Sequence, residues 1–165
     1  MSLKDKIRFR NGKLKVMQIS DLQDTKNTSV DTLRFVDDAI EKVRPDFIIL
    51  TGDQLDVVGA WGKGEKAEKN VETAIRRLFS VIEKHNIPYV LTFGNHDRET
   101  GVSNEKQAGI YATLKNCICF DNINDGDPMS AHLMCLCVLL TERVLRLTFL
   151  LWTLIQKQRA SDLRV

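Results

Sequence analysis

Three short polar clusters carry side chains able to do chemistry: Ser20–Asp24 (SDLQD), Thr51–Asp56 (TGDQLD) and Phe93–Glu99 (FGNHDRE). Each follows directly on a short apolar run. The carboxylates of Asp21 and Asp53 and the amide oxygen of Asn95 are hard donors, suited to Mg²⁺, Mn²⁺, Zn²⁺ or Fe. A carboxylate shared by two ions can hold them about 3.5–4 Å apart, the spacing of two-metal phosphoryl chemistry. The imidazole of His96 can give a proton to a leaving alkoxide or stabilise phosphoryl charge. Gly52 and Gly94 let the backbone turn sharply and come close to a ligand. A single aspartate at a strand end is often only a turn former or a helix cap. The recurrence of polar clusters at three strand ends is what points to a site. Of the flanking charges, Asp24 reads as a solvated carboxylate, Glu99 as a wall residue or another solvated charge, and Arg98 as a group able to meet a phosphate.

The elements that must position these clusters alternate. Leu14–Ser20 is an apolar run rich in strand formers. Ser29 can cap a helix whose apolar positions are Leu33, Val36, Ala39, Ile40 and Val43, the stripe of an amphipathic helix, and Pro45 stops it. Phe47–Thr51 reads as a second, buried strand. A loop bearing Gly59, Gly62 and Gly64 leads to a long helix with Val71, Ala74, Ile75, Leu78, Phe79 and Ile82 on one face. His85 falls at its end, in a C-terminal cap position. Pro88–Phe93 is a third strand, Asn104–Lys115 a shorter helix, and Cys117–Phe120 a fourth strand. The pattern predicts an α/β fold with a mostly parallel β-α-β-α-β sheet and helices on both faces. In such sheets ligands bind beyond the carboxyl ends of the strands, where all three clusters lie.

Asp21-Leu22-Gln23, Gly52-Asp53-Gln54-Leu55-Asp56 and Gly94-Asn95-His96-Asp97 follow, in order and placement, the pattern D-x-H, G-D-x-x-D, G-N-H-D. Residues 12–122 thereby resemble the calcineurin-like metallophosphoesterases. The wording is most similar to the branch with the fungal phosphatase Dcr2 and the purple-acid-phosphatase-29-like proteins. The resemblance implies the amino-terminal half of a four-layer α/β/β/α sandwich and hydrolysis of a phosphoester. Two divalent or trivalent metal ions (Fe, Mn, Zn or Mg) would serve as cofactors. By the same resemblance Asp21 binds the first metal, Asp53 bridges both, and Asn95 binds the second and touches the phosphate. His96 is the catalytic imidazole, oriented by Asp97, and Asp56 supports its loop. The attack on phosphorus is in line, by a metal-held hydroxide, with no phosphoenzyme.

Gln23 stands where the family has histidine. Its amide oxygen is a weaker and harder ligand than imidazole, and it reads more readily as a solvent-facing loop residue. The family also uses a later lone histidine and a G-H-x-H pair, whereas this chain has only His85, His96 and His132. The expectation is a truncated, impaired phosphatase acting on a phosphorylated protein or small molecule. The alternative is a non-catalytic phosphate-binding or regulatory remnant.

Composition limits the other classes. The 165 residues are 43% hydrophobic and 28% charged, which excludes collagen-like and disordered readings. A net charge of +2 gives no bulk signal for nucleic acid. The polar start, MSLKDKIRFRNGKLK, has no apolar signal core, so a cytoplasmic location and reduced cysteines are expected. Cys117 and Cys119 alternate within a predicted strand and read as small core residues rather than zinc ligands.

The average hides a break. Residues 1–128 carry 20 acidic and 19 basic side chains, whereas 129–165 carry two acids and five bases. The domain is therefore expected over 1–128, followed by an atypical apolar and basic tail over 129–165. Read one frame over, Trp152-Thr153 must encode Asp, and the neighbouring codons permit F-[LM]-D-S-D-S-K-T-K-G. That string resembles a strand-plus-loop segment of the branch named above, so a frameshifted or misassembled origin from about Met129 is expected. Glu142, Arg143 and Arg146 interrupt the apolar stretch Leu133–Trp152 and each costs roughly 2.5–3.5 kcal/mol at a bilayer centre, so no membrane span is expected.

Overall fold

The computed structural model describes residues 13–58 and 60–118. Within them lie strand β1 (Val16–Ile19), helix α1 (Val30–Val43), strand β2 (Phe47–Thr51), helix α2 (Glu65–Glu83), strand β3 (Tyr89–Thr92), helix α3 (Asn95–Glu99) and helix α4 (Asn104–Ala112). The strands form one parallel sheet in the order β1-β2-β3. Val16 pairs with Phe47, and Ile48 pairs with Tyr89. Cys117 adds a parallel bridge to Tyr89 at the far edge, where the fourth strand is expected. Cys119 and Phe120, like the tail with His132, Cys135 and Cys137, lie outside the described residues.

Local sequence explains the boundaries. Ser29 caps α1, its hydroxyl accepting from the Asp31 N–H at 3.2 Å. Arg44 closes the helix in the left-handed region (φ 49°), ahead of Pro45. Ser103 caps α4 in the same way, accepting from the Lys106 N–H at 3.3 Å. The apolar stripe of α2 is fully buried against the sheet, from Val71 to Ile82. The central strand β2 buries Phe47 to Leu50 without a gap.

One expectation is corrected and another is extended. The helices α1 and α2 pack on each other, so these two share one face of the sheet, where the alternation predicted helices on both faces. The strand order is the reason: successive crossovers of one hand that step in one direction put their helices on the same side. His85 stands where expected, one residue past the cap Lys84, and its N–H donates to Ile82 O at 3.2 Å; its side chain goes further. Its Nε2 meets Asp37 Oδ1 at 2.7 Å, and Lys84 Nζ pairs with the other oxygen. This clip ties α2 to α1, and the hydrogen bonds from Lys84 and His85 hold the Asp37 carboxyl below its ordinary range.

Among the described residues no helix is long and apolar enough to cross a membrane.

Candidate active site

The parallel pairing does not stop where β1 and β2 stop. The Asp21 N–H donates to Gly52 O at 3.1 Å, Gln23 N–H to Asp53 O at 3.0 Å, and Asp24 N–H to Gln54 O at 3.1 Å. Asp56 N–H returns a bond to Asp24 O at 2.9 Å. The loops after β1 and β2 therefore run side by side in the register of their strands, and Asp21 and Asp53 stand on adjacent chains.

Asp21, Gln23 and Asp53 all hold left-handed backbone, with φ of 56°, 43° and 54°. Each costs about 1–2 kcal/mol relative to ordinary backbone. Such residues cluster at active sites, where the surrounding structure over-determines them. Here the inter-loop hydrogen bonds do so.

Two glycines bring the third loop in. A Cβ on Gly52 would lie 2.8 Å from Gly94 N, and one on Gly94 would lie 1.9 Å from Asp53 Oδ1. The Asp53 carboxylate thus occupies the space a side chain at 94 would need. From there its Oδ1 accepts the His96 N–H at 2.9 Å. Gly94→Ala is predicted to push Asp53 out of this place. The overpacking should cost about 1–3 kcal/mol, and cation binding should fall in the same variant. Thermal melting and Mn²⁺ titration check the two effects together.

Asp97 is fully buried. Its Oδ2 accepts N–H bonds from Asp53 at 2.9 Å and Gly94 at 2.8 Å, and its Oδ1 accepts from Gln54 at 3.0 Å and Leu55 at 3.1 Å. Burial pushes its carboxyl up to about 6, against the pull of the amide donors. This corrects the expected role. Asp97 does not orient the His96 ring; it knots the loop after β2 to the start of α3. Behind it, Gln107 of α4 donates from Nε2 to Asp97 O at 2.6 Å and to Val102 O at 3.0 Å.

The group on the His96 ring is Glu99, whose Oε2 lies 2.7 Å from Nδ1. That hydrogen bond, followed by the charges of Asp53, Glu99 and Asp56, holds the imidazole pKa above its ordinary value. Asn95 and Arg98 are exposed on the same short helix, and Gln23 is exposed on its loop. Asp56 supports its loop as expected from the resemblance, accepting the Val58 N–H at 3.1 Å. Asp24 is buried, not solvated. It accepts N–H bonds from Thr25 at 2.7 Å and Ser29 at 3.1 Å, and so fixes the turn into α1.

Residues the motif reading passed over therefore include Gln107 and the true place of Asp24. No spacing rule marks Gln107. Asp24 carried a signal: an aspartate a few residues before a capped helix commonly binds the intervening N–H groups.

Among the described residues no group of three His, Cys, Asp or Glu side chains is arranged to hold a metal. The available donors are the carboxylates of Asp21 and Asp53 and the amide oxygens of Gln23 and Asn95. That all-oxygen set fits a hard cation such as Mg²⁺ or Mn²⁺.

Two comparisons with known proteins give matches. The profile of the calcineurin-like phosphoesterases matches residues 14–145. The protein named Uncharacterized protein C1020.05 of Schizosaccharomyces pombe is 28% identical over 83 residues, 50% of this chain and 15% of that protein. The chain therefore spans a small part of that relative's length. No solved structure matches.

Proposed function

Because the chain belongs to the calcineurin-like phosphoesterase family, we propose that its strand-end site takes a phosphomonoester and that turnover by this chain is impaired. The family works with metal ions. Asp21 and Asp53, with the amide oxygens of Gln23 and Asn95, would hold the cation; bound there, it supplies charge neutralisation for phosphoryl oxygens and acidifies water. The chain's own residues do the rest. Asn95 and Arg98, exposed on α3, meet the phosphate. His96 protonates the leaving oxygen or steadies charge on the phosphoryl group. Asp97 and the two glycines keep the three loops at one edge.

The observation that carries this reading is the knot of Asp53, Gly94, His96 and Asp97. It holds the Asp53 carboxylate against the start of α3, which carries Asn95 and His96, at the ends of neighbouring strands. The all-oxygen donor set supports the impairment, since the imidazole that the D-x-H pattern places at 23 is an amide here.

The test is orthophosphate binding by calorimetry together with phosphate release from an aryl phosphomonoester, both with Mn²⁺. The reading expects metal-dependent binding and slow, chelator-sensitive release. Rates of about 1–10³ s⁻¹, ordinary for enzymes, would overturn the impairment. Absence of phosphate binding would overturn the site. Binding with no release at all favours the second reading, a phosphate-binding remnant, which Gln23 also supports.

Gln23→His is expected to raise Zn²⁺ affinity roughly tenfold or more, since imidazole suits zinc better than an amide does. Histidine tolerates the left-handed backbone found at this position. Competition with a chromogenic zinc indicator measures it.

A further inference from the structure

We infer that Glu99 is the positioning residue for His96: it fixes the ring and places the proton on Nδ1, leaving Nε2 as the working atom. This rests on the phosphoesterase reading for its use, but the arrangement itself stands on geometry. Glu99 lies three residues after His96 on α3, the spacing that brings two side chains to one face of a helix. The Oε2 to Nδ1 distance is 2.7 Å. An ionised carboxylate only accepts, so the shared proton is on Nδ1 whether the ring is neutral or charged.

Among the described residues Glu99 is the one carboxylate that hydrogen-bonds the ring. Asp97 holds four backbone N–H groups, Asp53 holds the His96 N–H, and Asp56 holds the Val58 N–H. Among the described residues Nε2 has no hydrogen-bond partner. The backbone under the ring is pinned by Asp53 on one side and by Asp97 and Gln107 on the other. The remaining freedom is rotation of the imidazole, and Glu99 removes it. The pair is partly exposed, 31% for the His96 side chain and 47% for Glu99. An exposed helical pair of this kind adds little to stability, so its effect falls on ring orientation and tautomer.

The experiment is a long-range ¹H–¹⁵N correlation spectrum of the histidine rings in the full ¹⁵N-labelled chain, at alkaline pH and without metal. His96→Gln assigns the signal. The wild-type ring is expected as the Nδ1–H tautomer. Glu99→Ala should shift it to the Nε2–H form that free imidazole prefers, with the melting temperature unchanged. Glu99→Gln, which keeps a carbonyl acceptor, should restore the Nδ1–H form. A wild-type ring already in the Nε2–H form, or a Glu99→Ala spectrum identical to wild type, would overturn the inference. These spectra need neither cation nor phosphate. A chain that binds no phosphate therefore counts against the phosphoesterase reading, and an unmoved tautomer counts against Glu99 alone.

Discussion

Asp97→Asn is expected to destabilise the chain by about 3 kcal/mol or more, lowering the melting temperature by roughly 10 °C. The carboxylate is buried and accepts from Asp53 and Gly94 through one oxygen and from Gln54 and Leu55 through the other. Asparagine keeps the shape but turns one oxygen into an NH₂ group. Either orientation of the amide points that group at two backbone N–H donors. Rotating the side chain cannot help, because both sides of the carboxylate are fully used. The loop after β2 then loses its tie to α3, and Asp53 loses the anchor beneath it. A circular-dichroism melt of the two proteins reads the effect. A melting temperature within a degree or two of wild type would show that these four bonds do not hold the site together.

Asp53→Asn is expected to act the other way round. Asparagine can keep its Oδ1 in contact with Gly94 and continue to accept the His96 N–H. The charge of Asp53 also opposes ionisation of buried Asp97, so neutralising it relieves that repulsion. Stability should therefore hold or rise slightly, within about 1 kcal/mol. Divalent-cation affinity should fall roughly 100-fold or more, because a hard cation bound by few ligands depends on carboxylate charge. Calorimetric titration with Mn²⁺ alongside a melt separates the two effects. A variant that melts low and still binds Mn²⁺ would invert the assignment, making Asp53 structural and the site elsewhere.

Much of this arrangement is legible in the chain. The strand Phe47–Thr51 reads off directly, since an apolar β-branched run between Pro45 and Gly52-Asp53 admits little else. The cap at Ser29 follows from side-chain chemistry one residue before the helix begins. The three polar clusters follow from the rule that parallel sheets place ligand sites past their carboxyl ends. What the sequence hides is the division of labour among carboxylates. Asp97 follows His96 directly and looks like its orienting partner. Adjacent helical residues diverge by about 100°, however, so Asp97 turns inward while Glu99, three residues on, comes round to the ring. Asp24 looks solvated in a polar string but lies under the turn that starts α1. The short helix α3 is likewise invisible to periodicity, being only five residues long. Tertiary hydrogen bonds to Asp97 and Gln107 define it rather than an amphipathic stripe. The shared face of α1 and α2 depends on strand order, which alternation alone does not specify.

In the proposed function the carboxylates of Asp21 and Asp53, held on adjacent loops in left-handed backbone, would form a site for a hard divalent cation. Electron paramagnetic resonance of Mn²⁺ titrated into the full chain tests it most directly. Saturable loss of the free six-line signal is expected in the wild-type protein, reversed by excess Mg²⁺, and an almost unchanged free signal with Asp53→Asn. A free signal that stays undiminished with the wild-type chain, or equal binding by the two proteins, would contradict it.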